Sequence, residues 1–259
     1  MKIIVKNSEQ IQKMQVAGLL ASQVLDMIGS FVVPGATTAE LNDICHDYIV
    51  NTQHAIPAPL NYRGFPKSIC TSTNHVVCHG IPTNKVLKNG DILNIDVTVI
   101  KDGFHGDTSR MFFVGGRDNS SILAKRLVDT AYECMMTAIQ QIRPGGSLRD
   151  IAVAIESCAK PCNFSIVESF CGHGIGEGFH EDPQVLHYIP QDRHTQKYLD
   201  VRLHPGMIFT VEPMINAGKK HVTILSDSWT VVTKDRSLSA QWEHTVLVTH
   251  SGYQILTIS

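Results

Sequence analysis

Two Pro-Gly steps 110 residues apart, Pro34-Gly35 and Pro144-Gly145, constrain the architecture more than any other feature of this chain. Each ends an apolar stretch of helical period, and each precedes a hydroxyl residue able to open a second helix. In the first copy Ser8 can cap a helix with Ile11, Met14, Ala17, Leu20, Val24, Leu25 and Ile28 on one side. Beyond Val33-Pro34-Gly35, Thr38 can cap a shorter helix with Leu41, Ile44, Cys45, Tyr48 and Ile49 inward. In the second copy Ser121 opens a helix carrying Leu127, Ala131, Met135, Ala138 and Ile142. Arg143-Pro144-Gly145-Gly146 stops it, and Ser147 caps a helix with Leu148, Ile151, Ala154 and Ile155. At the same offset Thr37 falls on Ser147 and Leu41 on Ile151. A Pro-Gly step alone marks any turn. A whole helix–turn–capped-helix phrase, repeated, predicts two similar α+β halves. Gly115-Gly116 predicts their junction, with halves at about 8–116 and 120–259 in one domain spanning 1–259.

Strand-type sequence follows each helix pair. From Asp91 to Ile100, Leu93, Ile95, Val97 and Val99 alternate with Asn94, Asp96 and Thr98. Lys101-Asp102-Gly103 reads as a turn, and Asp107 to Val114 as the return strand. A four-residue loop, 100–103, sets Asp96 directly opposite Asp107, with Cβ atoms about 5 Å apart. Two carboxylates so close repel unless a cation lies between them. In the second half Met207-Ile208-Phe209-Thr210-Val211 leads to Glu212-Pro213, and Gln241-Trp242-Glu243-His244 leads into the strand Thr245 to Val248. An antiparallel sheet in each half brings all four carboxylates to one central face.

With His173, in a run that begins Cys171-Gly172-His173-Gly174-Ile175-Gly176, the set is Asp96, Asp107, His173, Glu212 and Glu243. Four carboxylates and one imidazole suit two hard-to-borderline divalent ions better than one structural zinc. Each lies in a stretch that reads as buried strand or Gly-rich turn, where an uncompensated charge is costly. Taken singly, Asp96 reads as a strand-edge residue, Glu212 as a strand end in solvent, and Glu243-His244 as an exposed pair. His79 sits at a strand end, suited to a base or a substrate contact, although a lone His is more often a core residue bonded to backbone. His46, His105 and His187 carry no interpretable spacing.

Composition narrows the class. The chain has 259 residues, 43% apolar and 18% charged, as an ordinary globular protein does. A net charge of −2 predicts neither nucleic-acid binding nor an anionic-membrane partner. Seven cysteines without paired spacing predict reduced thiols. No signal-peptide core follows Met1-Lys2-Ile3-Ile4-Val5, and no apolar run approaches the roughly 20 residues that span a bilayer. The expectation is a cytoplasmic, monomeric protein.

The ordered set Cys78-His79-Gly80-Ile81-Pro82, Asn94-Ile95-Asp96-Val97, Gly106-Asp107-Thr108-Ser109-Arg110, Gly172-His173-Gly174-Ile175-Gly176, Phe179-His180-Glu181, Thr210-Val211-Glu212-Pro213 and Gln241-Trp242-Glu243-His244-Thr245 resembles the methionine aminopeptidases of bacterial type I. The resemblance covers nearly the whole chain. It implies the pita-bread fold, in which two halves related by a pseudo-twofold axis form a central antiparallel sheet covered by helices. It implies removal of the N-terminal methionine from nascent proteins near the ribosome, with preference for a small second residue. Two divalent cations (Co, Mn, Fe or Zn) are implied at Asp96, Asp107, His173, Glu212 and Glu243, with Asp107 and Glu243 bridging. Glu212 is implied as the proton carrier, and His79 and His180 as non-ligand catalytic and substrate contacts. The methionine side chain is implied to lie among Tyr62, Phe65, Cys70, Phe179 and Trp229. A monovalent cation is implied at Asn74, Val76 and Ser239. Pro59 and Arg63 depart from the Cys and His of some relatives and touch the pocket rim.

Competing readings make distinct expectations. A prolidase or Xaa-Pro aminopeptidase carries a further N-terminal domain, whereas His79 arrives after only 78 residues. Type II enzymes carry a helical insertion in the second half, and the stretch from His180 to Glu212 is short. A non-catalytic binding protein on the same fold loses metal ligands, and a dinuclear phosphoesterase lacks a thioether pocket.

Overall fold

The computed structural model describes residues 2–259. In the first half, α1 (Ser8–Ile28) and α2 (Thr38–Asp47) precede the short β1 (Ile56–Pro57), β2 (Cys70–Thr73) and β3 (Val76–Cys78), then the long hairpin β4 (Ile92–Lys101) and β5 (Phe104–Phe113). The second half opens with α3 (Ile122–Ile139) and α4 (Leu148–Ala159). It continues through β6 (Ser165–Ile166), β7 (Gly172–Gly174), β8 (Glu181–Val185), α5 (Arg193–Gln196), β9 (Ile208–Val211) and β10 (Met214–Asn216). It ends with β11 (Val222–Ile224), β12 (Val231–Thr233), β13 (Ser239–Gln241), β14 (His244–Val248) and β15 (Tyr253–Ile255).

The repeated phrase is a real structural repeat. Gly35 and Gly145 both take positive φ, 95° and 78°, a conformation that a Cβ penalises. Thr37 and Ser147 are equivalent N-caps, each in a capping box with an acidic residue three positions on, Glu40 and Asp150. Leu41 and Ile151, at the same offset, are both fully buried. Two cap assignments shift by one residue. Asn7, not Ser8, caps α1, and its side chain accepts from the Gln10 amide at 3.0 Å. Thr37, not Thr38, caps α2; the Thr38 hydroxyl instead donates to the Thr83 carbonyl.

Each helix pair covers its own sheet. Leu93, Ile95, Val97 and Val99 of β4 bury against Val24, Leu25 and Ile28 of α1 and Leu41 of α2. The four-stranded sheet there is β1-β4-β2 with β5 on β4. In the other half Leu127, Ala131 and Met135 of α3 and Ile151 and Ile155 of α4 bury against Phe209, Ile215, Ala240 and Val246. Its strands run β15-β14-β9-β7-β8 and β13-β10-β6, while β12 joins β11 to β3 of the first half. All sheet pairings are antiparallel. The halves also meet at a second seam. Ser109 of β5 pairs with Glu243 between β13 and β14, and the Thr245 hydroxyl donates to the Asp107 carbonyl at 2.7 Å.

Two further expectations change. The β4–β5 turn has two residues, Asp102 and Gly103, both at positive φ (50° and 80°), as the tight hairpin turn requires. Thr98 therefore faces Asp107, and Asp96 faces Ser109. The two carboxylates share a face but sit diagonally rather than directly opposite. Second, α1 with its following turn, Ser8–Phe31, is long and apolar enough to cross a membrane by length and composition. In the fold it is a core helix, burying Met14, Ala17, Ala21, Val24, Leu25 and Ile28.

Candidate metal centre and its cavity

The carboxylates converge because the middle of the first half's long hairpin meets strand ends of the second half. Asp96 and Asp107 come from one face of the β4–β5 hairpin, Glu212 from the β9–β10 connection, Glu243 from the β13–β14 connection, and His173 from β7. All five line one cavity of about 400 Å³. Asp107, His173 and Glu243 bring one ligand atom each within 4.8 Å of one another. His173 Nε2 lies 3.6 Å from Asp107 Oδ2 and 3.7 Å from Glu212 Oε1. Asp96 and Glu212 share the cavity but stand outside the tight three-residue group.

Electrostatics explain what this cluster needs. Burial pushes the Asp96 carboxyl up to about 7 and the Glu212 carboxyl up to about 8. Burial, then the neighbouring carboxylates, push Asp107 and Glu243 well above the usual range. No Lys or Arg among the described residues forms an ion pair with any of the four. Buried like charges without a counter-ion are unfavourable, so the site calls for cations. His173 is prepared to ligate one. Burial lowers its pKa to about 4, so the ring is neutral. Its Nδ1 lies 2.9 Å from the Gly174 carbonyl, which assigns the proton to Nδ1 and leaves the Nε2 lone pair facing the carboxylates. The donor set, oxygens plus one imidazole, fits divalent metal ions.

The remaining wall is aromatic. Phe65 meets Trp229 edge-on at 5.2 Å, and Tyr62 meets Phe179 at 4.9 Å between centroids. Cys70, His79, Phe170 and Met214 also line it. His79 sits at φ 55°, a costly backbone region for a residue with a Cβ, directly after β3. His180 stands at the mouth with Nδ1 3.0 Å from the Tyr62 hydroxyl and its ring 4.2 Å from that of His173. Burial, then the neighbouring imidazoles, hold its pKa below the usual value. Every expected ligand and substrate residue thus lines this cavity. Asn74, Val76 and Ser239 do not; the Asn74 carbonyl accepts from the Ser239 amide at 2.8 Å, and Val76 begins β3.

Several supporting residues escaped the sequence reading. The Thr98 hydroxyl donates to Asp107 Oδ1 and the Thr210 hydroxyl to Glu212 Oε1, both at 2.7 Å. Gln241 Nε2 donates to Glu212 Oε2 at 3.2 Å, and the Glu212 amide donates to His187 Nε2 at 3.3 Å. Thr98, Thr210 and Gln241 each lie two residues from a metal-type side chain. The strand period of two was the available signal for the hydroxyls. His187 and Phe170 arrive from separate segments and had none.

Comparison with known proteins agrees with this geometry. Residues 12–250 match metallopeptidase family M24. Methionine aminopeptidase of Escherichia coli K12 is 56% identical over 259 residues, all of this chain and 95% of that protein. The Haemophilus influenzae methionine aminopeptidase is 52% identical over 259 residues, covering all of this chain and 94% of that protein. The crystal structure of methionine aminopeptidase from Rickettsia prowazekii superposes with TM-score 0.93 at 52% identity, covering 99% of this chain and all of that one. Prolidase from Pyrococcus furiosus shares the fold alone, with TM-score 0.74 at 20% identity over 99% of this chain and 66% of the prolidase. The fold is the pita-bread fold, and the chain belongs to metallopeptidase family M24, among its methionine aminopeptidases.

Proposed function

We propose that this chain, a metal-dependent aminopeptidase that removes N-terminal methionine, works with two divalent cations (Co, Mn, Fe or Zn) as a single catalytic domain whose halves span about 8–116 and 120–259. The observation that carries the reading is the convergence of five metal-type side chains in one aromatic-walled cavity. Asp96, Asp107, His173, Glu212 and Glu243 would hold the cations. Bound there, the cations supply the positive charge that acidifies a water and polarises the peptide carbonyl.

The chain's own residues do the rest. The methionine side chain enters between Phe65–Trp229 and Tyr62–Phe179, where sulfur–aromatic contact favours a thioether by about 0.3–1.5 kcal/mol. With Tyr62 donating to Nδ1, His180 presents Nε2–H to the peptide carbonyl. His79, beside Phe170 and Trp229, lies close to the scissile amide and the substrate N-terminus. Glu212 moves a proton from the attacking water to the leaving amine, and Thr210 and Gln241 hold its two carboxylate oxygens in place. A small second residue is preferred.

The substrates are nascent-chain N-termini near the ribosome, met by a cytoplasmic monomer; seven free thiols suit a reducing compartment. A monovalent cation at Asn74, Val76 and Ser239 is a further part of the reading. Metal titration of the chelated protein tests the centre, with activity expected to saturate at two equivalents. Turnover of Met-Ala and Met-Gly peptides beside Met-Leu and Met-Lys tests the specificity. Equal rates across the four peptides would reject it.

A further inference from the structure

The segment before α1 holds a group that the reaction as described does not use. Lys6 is 5% exposed, and its Nζ pairs with Glu181 Oε2 at 2.5 Å. A fully enclosed ammonium in an N-terminal segment is costly without a specific partner. Glu181 immediately follows His180 and opens β8, directly opposite Gly174 of β7. Its other oxygen accepts from the Gly178 amide at 2.9 Å. One carboxylate therefore ties both ends of the turn that displays Phe179 and His180.

The rest of the segment is fastened on either side. The Lys2 amide donates to Asp182 Oδ2 at 2.6 Å, Ile3 bridges Asp182, and the Lys6 amide donates to the Gly206 carbonyl at 2.8 Å. The lysine stem also fills the space beside Gly176. A Cβ there would lie 2.5 Å from Lys6 Cε and 2.6 Å from Nζ. On the far side of the same turn, Phe179 and His180 contact Tyr62, and the His180 ring lies tilted 4.2 Å from that of His173.

We infer that residues 2–6 form a strap whose buried Lys6–Glu181 ion pair positions Phe179 and His180 against the cavity. Lys6 is a positioning residue, acting through Glu181. Resting on the peptidase reading above, this predicts an effect on turnover that exceeds the effect on methionine binding, because Phe179 alone of the methionine-pocket residues stands on the strapped turn, while Tyr62, Phe65, Cys70 and Trp229 stand on segments the strap does not touch.

The test compares the metal-loaded wild type with Lys6→Met and with Lys6→Met/Glu181→Gln, which removes the unpaired buried charge that could unfold the single variant. Expected for the folded double variant are wild-type metal content, a kcat on Met-Ala-Ser lower by about tenfold or more, and a KM raised by no more than about threefold. Deuterium exchange across 176–181 is expected to rise. Wild-type kcat with wild-type exchange in the double variant would overturn the inference. So would a loss of metal in proportion to kcat, since the strap would then act through the ligands. Should wild type itself leave Met-Ala-Ser uncut, the peptidase reading fails, and exchange across 176–181 alone decides the strap.

Discussion

At the residue scale, function rests on side chains that hold the metal-type groups as much as on those groups themselves. Glu212 is gripped by the Thr210 hydroxyl and Gln241 amide, with its backbone amide on His187. Glu212→Gln keeps shape and removes the proposed proton carrier; kcat on Met-Ala-Ser is expected to fall by about 100-fold or more, with the far-ultraviolet circular dichroism unchanged. Thr210→Val keeps volume and removes one hydrogen bond. Its metal Kd, read by calorimetry, is expected to rise roughly 10- to 100-fold, with smaller change in KM. The ligand-type residues were legible because charges in apolar strands are anomalous. Their neutral partners were not, because Thr and Gln are unremarkable in any strand.

At the element scale, one turn decides how the two aspartates meet. A two-residue turn at Asp102-Gly103, in place of a four-residue loop, lengthens the pairing of β4 by two residues and moves Asp107 opposite Thr98. That places a hydroxyl, not a second carboxylate, across from Asp107, and leaves Asp96 on the diagonal. Gly103 sits at φ 80°, so Gly103→Val is expected to cost about 1–2 kcal/mol in urea unfolding. The caps behave alike in both halves. Thr37→Ala is expected to cost about 1 kcal/mol by the same measurement, since it leaves the Glu40 amide without its side-chain acceptor.

At the scale of the molecule, the centre trades stability for function. Asp96 and Glu212 titrate near 7 and 8 in the folded state, against about 4 in an unfolded chain. Their folded pKa values are raised, so without metal the folded state binds more protons between those limits. Stability of the chelated protein is therefore expected to fall as pH rises from about 4 to about 8, by about 2 kcal/mol or more. Added divalent metal should raise the melting temperature far more at pH 8 than at pH 5. A melting temperature flat with pH in chelator would contradict the crowding of buried carboxylates.

The linear order of residues determined the paired helices, the alternating strand faces and the identity of the metal-type side chains, because helical period, strand period and capping chemistry act over a few neighbours. Only the folded chain decided the diagonal aspartate pair, the seam between Ser109 and Glu243, the grip on Glu212, and the lysine behind His180. Those depend on which distant strands lie side by side, and two residues of turn length were enough to change which side chains face each other.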